Sequence, residues 1–272
     1  MEEKNKLKEL YLAKKASKLL LPLLEKYYRA KFIGLNNIPD TPFLGVGNHL
    51  GVYFMPESFL WLGKYHSIEE KPPMNVLVHH VLHSFSKLFN IPQRELGILE
   101  ASPENAIKAL KSGNSVTVYP GGDRDNSKPF NKRYKIDFYN HYGYIKLALK
   151  TGVPILPIVG IGGGETLFVL SSGEKIAEKI GVTRLFKLHS WPIYLSFPCG
   201  LRIGHFPFFS IPLPSQITIS VLPPISLDQY NEDDVNDIQI LKQINNQVVS
   251  LMQTEMDNLA KCRIPVIGKI DD

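Results

Sequence analysis

VPILPIVGIG, residues 153–162, is an apolar run rich in β-branched side chains. It follows Tyr142 to Thr151, a helical stretch that Gly152 ends. A helix, a glycine and then a buried strand is the unit of an α/β protein, and the same pattern recurs outward in both directions. FLGVG (43–47), SVTVY (115–119) and ITISVL (217–222) are short apolar runs bounded by Gly or Pro, and each reads as a strand. Ser102, Pro103 and Glu104 supply an N-cap, a first-turn proline and a first-turn acid, and Gly113 stops that helix. From Asp234 to Lys261, apolar residues at Ile238, Leu241, Ile244, Val248, Leu251, Met252 and Met256 predict a long amphipathic helix. The expectation is an α/β fold: a mostly parallel sheet flanked by helices in a single domain. Its parts are an N-terminal amphipathic helical segment (1–31), a main domain (32–230) and a C-terminal helix packed on it (231–272).

At the N-terminus, Lys4, Lys8, Lys15 and Lys18 share one arc of a helical wheel. Leu10, Ala13, Leu20 and Leu21 lie roughly opposite, and Lys6 breaks the pattern. Pro22 interrupts the run, which predicts two short helices rather than one. Such a helix either lies in a membrane interface or packs on its own domain with a solvated basic face.

Composition narrows the classes. With 44% hydrophobic and 21% charged residues in 272, wholesale disorder is excluded. A net charge of +5 favours anionic partners such as phosphate groups or acidic lipid and is too small to argue for nucleic acid. Cys199 and Cys262 form no CxxC pair, so neither a disulfide framework nor a cysteine-based zinc site is expected, and a reducing compartment fits. The first residues lack the apolar core of a secretory signal. The longest uncharged run, Ile203 to Leu227, contains five prolines and cannot be a spanning helix. The expectation is a peripheral, cytoplasmic-side protein with neither a signal peptide nor a transmembrane helix.

The strand FLGVG runs straight into Asn48-His49-Leu50-Gly51. A histidine at a strand end is fixed in place and open to a cleft, which suits a general base. Such a base usually needs a carboxylate to orient it. Glu57 is the nearest downstream acid, behind a spacer holding Gly51 and Pro56 that returns the chain, and it would open a helix over Ser58 to Leu62. The plainer alternative is a structural histidine and a first-turn acid. The second constellation is YPGGDRD, 119–125. Paired glycines let backbone N–H groups approach a ligand, and Arg124 offers a fork of donors to phosphate or carboxylate. The alternative is a tight turn with solvated charges.

Taken together, Asn48 to Gly51, Tyr119 to Arg124 and GVPILPIVGIGGGET (152–166) resemble, in order and spacing, the glycerolipid acyltransferases. They are closest to the diacylglycerol-acyltransferase-like branch with its PGG motif. The resemblance spans about Gly34 to Ile225. It implies transfer of a fatty acyl group from acyl-CoA or acyl carrier protein, as substrate and not cofactor, to the hydroxyl of a lipid acceptor at a membrane surface. It implies His49 as the base. Phe54 stands where the family has its Asp, which leaves Glu57 as the substitute. It implies Asn48, Gly121, Gly122 and Arg124 on the substrate side, with N–H groups near Gly121 and Gly122 at the oxyanion. Gly121 replaces the family Glu that accompanies acceptors bearing glycerol phosphate, and Asp123 replaces its Thr, which argues against a phosphate-bearing acceptor; PGG is typical of relatives acting on neutral ones, and the acceptor is left as a glycerolipid or other lipid alcohol. Neither cofactor, metal nor nucleic acid is implied. Without a Gly-x-Ser-x-Gly elbow, direct transfer is expected rather than an acyl-enzyme. The rivals are a non-catalytic lipid-binding protein on the same fold and an acyl-thioester hydrolase.

Other signals are weaker. His79 and His83 in LVHHVLH have i, i+4 spacing but no evident third metal ligand, and a polar helix face is the alternative. GIGGGE (160–165) has Glu165 where a dinucleotide loop needs its third glycine. Leu188 to Leu213 interleaves aromatics with prolines, which excludes a regular helix. It reads either as a loop over an acyl tunnel or the bilayer surface, or as an irregular buried segment.

Overall fold

The computed structural model describes residues 11–52, 54–205 and 210–269. In chain order the first elements are α1 (Tyr11–Tyr27), β1 (Lys31–Ile33), β2 (Leu44–Gly47), α2 (Pro56–Ser67), β3 (Met74–Val78), α3 (His80–Leu88) and β4 (Ile98–Glu100). Next come α4 (Pro103–Lys111), β5 (Ser115–Val118), α5 (Gly122–Asn126), α6 (Gly143–Thr151), β6 (Ile155–Ile161), β7 (Phe168–Ser171), α7 (Glu174–Lys179) and α8 (Val182–Phe186). The chain closes with β8 (Ile193–Ser196), β9 (Gly200–Ile203), β10 (Thr218–Val221), α9 (Ile238–Ala260), β11 (Arg263–Ile264) and β12 (Gly268–Lys269).

Seven strands form the central sheet in the order β1-β10-β6-β2-β5-β3-β4. The five from β6 to β4 are mutually parallel, and β10 joins β6 antiparallel with β1 parallel to it. Strand β6 is buried along its whole length, as a central parallel strand covered on both faces must be. Its side chains alternate between two cores. Ile155, Val159 and Ile161 join the cluster under α4, α6 and α9, whereas Leu156 and Ile158 join the one under α1 and α2.

Local signals place the helices well. The Ser102 side chain caps α4 by accepting from the Asn105 N–H at 3.1 Å, and Gly152 ends α6 in the left-handed region at φ 66°. Helix α9 starts later than the pattern indicates, at an Asp237 cap, and turns Ile238 and Leu251 to solvent while Leu241, Ile244, Val248, Met252 and Met256 are buried.

Three expectations are corrected. Pro22 does not split α1, because it sits on the exposed side of the helix, one turn after the exposed Lys18 whose carbonyl it cannot bond. The buried stripe of α1 is Ala13, Ser17 and Leu21, followed by Tyr28, and it packs on α2 where Gly63 makes room for Leu21. Leu20, placed on the apolar arc by the wheel, is 51% exposed. Lys4, Lys8, Lys6 and Leu10 of that wheel lie outside the described residues. The third correction concerns Leu188 to Leu213. Its middle, Ile193 to Ile203, is neither a loop nor an irregular buried segment, because β8 and β9 form a hairpin that joins β7 in a three-stranded antiparallel sheet. Residues 206–209 within it lie outside the described residues.

Among the described residues, no helix is long and apolar enough to cross a membrane.

Candidate active site

Because β2, β5, β3 and β6 are parallel, the segments after their carboxyl ends gather at one edge of the sheet, where open α/β folds form their ligand crevice. His49 follows β2, Tyr119 to Arg124 follow β5, and Gly162 to Glu165 follow β6. His49 Nδ1 lies 2.9 Å from Glu57 Oε1. Glu57 is 3% exposed and His49 13%. The same Glu57 oxygen accepts the Leu50 N–H at 2.9 Å, so the carboxylate grips both the ring and the backbone beside it.

A tight return makes this contact. Gly51 has φ 89°, and a Cβ there would meet Pro56 Cδ at 2.8 Å. Val52 (φ 55°) and Met55 (φ 38°) also occupy the left-handed region. For a β-branched residue such as Val52 that is a strained conformation, costing on the order of 1–3 kcal/mol. The reward is that Glu57 lands in the first turn of α2, where the helix dipole favours a carboxylate. Across the sheet, a Cβ on Gly160 would come within 3.0 Å of Glu57 Cβ, so a glycine there lets α2 approach. Trp61 donates from Nε1 to Thr117 Oγ1 at 3.0 Å and pins the helix to β5.

Two further residues build the histidine's cradle. The His49 N–H donates to Asp125 Oδ2 at 2.6 Å, and Asp125 is wholly buried in an ion pair with Lys128. The His49 ring stacks on Tyr119 at 4.6 Å between centroids. Burial and the nearby Glu57 carboxylate push the Tyr119 hydroxyl well above its ordinary range, so it stays protonated. Sequence reasoning passed over Asp125, although it is the last charge of the DRD triplet beside the two glycines.

The other expected site residues separate. Asn48 is 1% exposed, and its amide donates to the Gly160 carbonyl at 2.9 Å and accepts the Gly160 N–H at 2.8 Å. It clamps β2 to β6. The Gly122 N–H donates to the Tyr119 carbonyl at 3.1 Å, so it closes a turn rather than waiting for an oxyanion. Gly121 is packed, since a Cβ there would meet Asp125 Cβ at 2.3 Å, and the family Glu cannot stand beside this Asp125. Arg124 lies near the Tyr139 ring at 5.4 Å, with a buried Nε that has no hydrogen-bond partner among the described residues. Asp123 accepts the N–H groups of His189 and Ser190 at 2.5 and 2.8 Å and ties down the loop after α8. His79 and His83 do not converge on a metal site, and no group of three potential ligands forms one among the described residues.

A carboxylate-held histidine at the carboxyl edge of a parallel sheet is an arrangement suited to taking a proton from a hydroxyl or from water. Comparisons with known proteins narrow the class. An Acyltransferase family model matches residues 29–160. An uncharacterised protein of Mycobacterium tuberculosis is 28% identical over 253 residues, covering 89% of this chain and 66% of that one. A chicken (Gallus gallus) enzyme described as a DGAT1/2-independent enzyme synthesizing storage lipids is 27% identical over 186 residues, covering 66% of this chain and 51% of its own. The crystal structure of the 1-acyl-sn-glycerophosphate acyltransferase PlsC from Thermotoga maritima superposes with a TM-score of 0.52 at 18% identity, covering 91% of this chain and 83% of that one. The family match, the named relatives and the shared fold together support the glycerolipid acyltransferase family for this chain.

Proposed function

We propose that this protein moves a fatty acyl group from an acyl thioester, acyl-CoA or acyl carrier protein, to the hydroxyl of a lipid acceptor, with His49 as general base. The observation that carries the proposal is the 2.9 Å contact between His49 Nδ1 and Glu57 Oε1. With Nδ1–H donating to Glu57, Nε2 is left as the acceptor of a proton. The acceptor hydroxyl attacks the thioester carbonyl as Nε2 takes its proton, and Glu57 stabilises the imidazolium. Collapse of the tetrahedral intermediate breaks the C–S bond, and the imidazolium returns the proton to the leaving thiolate. The dyad argues against a non-catalytic relative, since Glu57 supplies from eight residues away the carboxylate that Phe54 lacks.

A neutral acceptor is the better fit. The place of the family Glu is filled by Gly121 with Asp125 packed against it, and the chicken relative is described as making storage lipids. Work at a membrane surface is supported by α1, whose outward side carries Leu19, Leu20, Leu23 and Tyr27 beside Lys15 and Lys18.

The test is acyl transfer from labelled acyl-CoA, and from acyl carrier protein, to a panel of lysophospholipids, monoacylglycerols and diacylglycerols. New ester that disappears in His49→Ala is the expected result. No ester with either donor overturns the proposal, and free fatty acid as the sole His49-dependent product makes the protein a hydrolase.

A further inference from the structure

The small sheet β7-β8-β9 has two unlike faces. In register, Val169 pairs with Tyr194, and both are buried against Val52 and Leu167 beside the His49 loop. The adjoining row, Phe168, Leu195 and Leu201, points the other way and is exposed across all three strands. Ile203 and Phe197 extend that row along the strands, and Phe197 is 64% exposed. A sheet face of this composition left open to water is costly unless something covers it.

The open face is tied to the end of α1 by way of residues 211–212. Ile211 donates its N–H to the Phe197 carbonyl at 2.7 Å, forming a bridge beside the hairpin. One residue on, the Pro212 carbonyl accepts the Tyr27 hydroxyl from the end of α1. Two hydrogen bonds thus tie the end of α1, the Ile211–Pro212 segment and the hairpin together, and each of the three carries exposed apolar side chains: Leu20 and Leu23, Ile211, and Leu195 and Leu201.

Charge selects the occupant. Between Glu178 and Asp228 the chain has no acidic side chain, and its charged residues there are Lys179, Arg184, Lys187 and Arg202. Lys179, Arg184 and Lys187 are exposed next to Ile180, Leu185 and Phe186 on α7 and α8. A second copy of the chain would bring the same basic rim against itself. An anionic bilayer answers both the apolar face and the basic, acid-free stretch of chain that carries β8 and β9.

We propose that the outer face of β7-β8-β9, with α8 and the Ile211–Leu213 segment, is a docking surface for an anionic membrane. It acts together with α1 and sets the His49 crevice at the lipid surface. The proposal rests on the acyl-transfer reading only for its purpose, since docking is read without turnover.

The experiment is co-sedimentation of the full chain with vesicles of phosphatidylcholine, with and without phosphatidylglycerol, comparing wild type with Leu195→Glu/Leu201→Glu. Both positions are exposed, so the fold should be kept, and circular dichroism checks it. The expected result is tighter binding by wild type to the anionic vesicles and a loss of about tenfold or more in the variant. Turnover of a short-chain, monomeric acceptor should stay at the wild-type rate. Equal vesicle binding by variant and wild type overturns the surface. So does light scattering that shows a wild-type dimer which the variant dissociates while vesicle binding stays unchanged, since a second copy is then the occupant. Should the double variant misfold, an environment-sensitive dye on Cys199, at the exposed turn of the hairpin, replaces it in a Cys262→Ser background. A blue shift on anionic vesicles supports docking, and an unshifted dye on bound protein overturns it. Vesicle docking through this face without any ester formed would sink the acyl-transfer reading alone.

Discussion

Two buried glutamates stand at the carboxyl edge of the sheet, and they are held in opposite ways. Glu165 is saturated. Arg263 donates to both its oxygens, from Nε at 2.8 Å and Nη2 at 2.9 Å, and Tyr134, Ser215 and the Val266 N–H complete the shell. Burial pushes its carboxyl up, but the bonds from Arg263 and Tyr134 outweigh this and hold it below the ordinary carboxylate range. Glu57 has a histidine and one N–H on Oε1, while Oε2 is buried with no hydrogen bond to the described residues. The contrast separates two uses of a buried acid. A fully paired carboxylate staples distant parts of a chain, here the loop after β6 and the C-terminal hairpin β11-β12. An under-coordinated one beside a histidine orients the ring and leaves an oxygen unsatisfied, which is the arrangement the proposed base role of His49 calls for.

The comparison breaks most visibly at Arg263. Removing one partner of a buried pair costs about 3–5 kcal/mol, so Arg263→Ala should lower urea stability by that order without touching the dyad. The pH dependence follows from the depressed carboxyl. Stability from ionised Glu165 is complete above the ordinary carboxylate range and is lost as pH falls through the folded-state value. The gap between wild type and Arg263→Ala should therefore be widest near neutral pH and shrink in acid. A gap that widens on acidification would show that Glu165 does not carry the staple.

Glu57→Gln should do the reverse. Its rate of acyl transfer should fall on the order of a hundredfold or more, with less loss of urea stability than Arg263→Ala. If the two variants show the same ratio of stability loss to rate loss, both glutamates are structural. Tyr134→Phe removes one hydrogen bond to a charged group and should cost about 1.5 kcal/mol in the same unfolding assay, with kcat unchanged. Smallest is Gly122→Ala. Its Cβ meets nothing within 4 Å, so only the left-handed backbone at φ 56° resists, at roughly 1 kcal/mol. By contrast, Gly121→Ala drives a methyl into Asp125 and should disturb His49 itself. Thermal denaturation and turnover measured on the pair would tell packing from backbone cost.

How much of this could be read beforehand depended on distance along the chain. Strands β2, β5, β6 and β10 were visible as apolar runs between Gly and Pro, because a buried strand needs no partner information to look buried. Strands β1 and β4 were missed because three residues at a sheet edge carry little pattern, and β3, inside the sheet, because Asn75 interrupts its apolar run. Pro22 misled because helix-breaking was judged without knowing that its side faces water. The bonds of Asn48 to Gly160 across the sheet could not be read from its motif, and Asp125 was overlooked because its target is the backbone N–H of residue 49.

By itself the sequence determined the alternation of strands and helices, the caps of α4 and α6, a histidine at a strand end and an acid eight residues on. These follow from burial periodicity and local hydrogen bonding, which act within a few residues. Tertiary structure alone decided that Glu57 reaches His49, that Glu165 meets Arg263 across 98 positions, and that one face of the β8–β9 hairpin stays open. Each depends on which groups the crossover connections bring together. A carboxylate, a proline or an apolar strand acquires its role only from the partner, or the solvent, that the fold places against it.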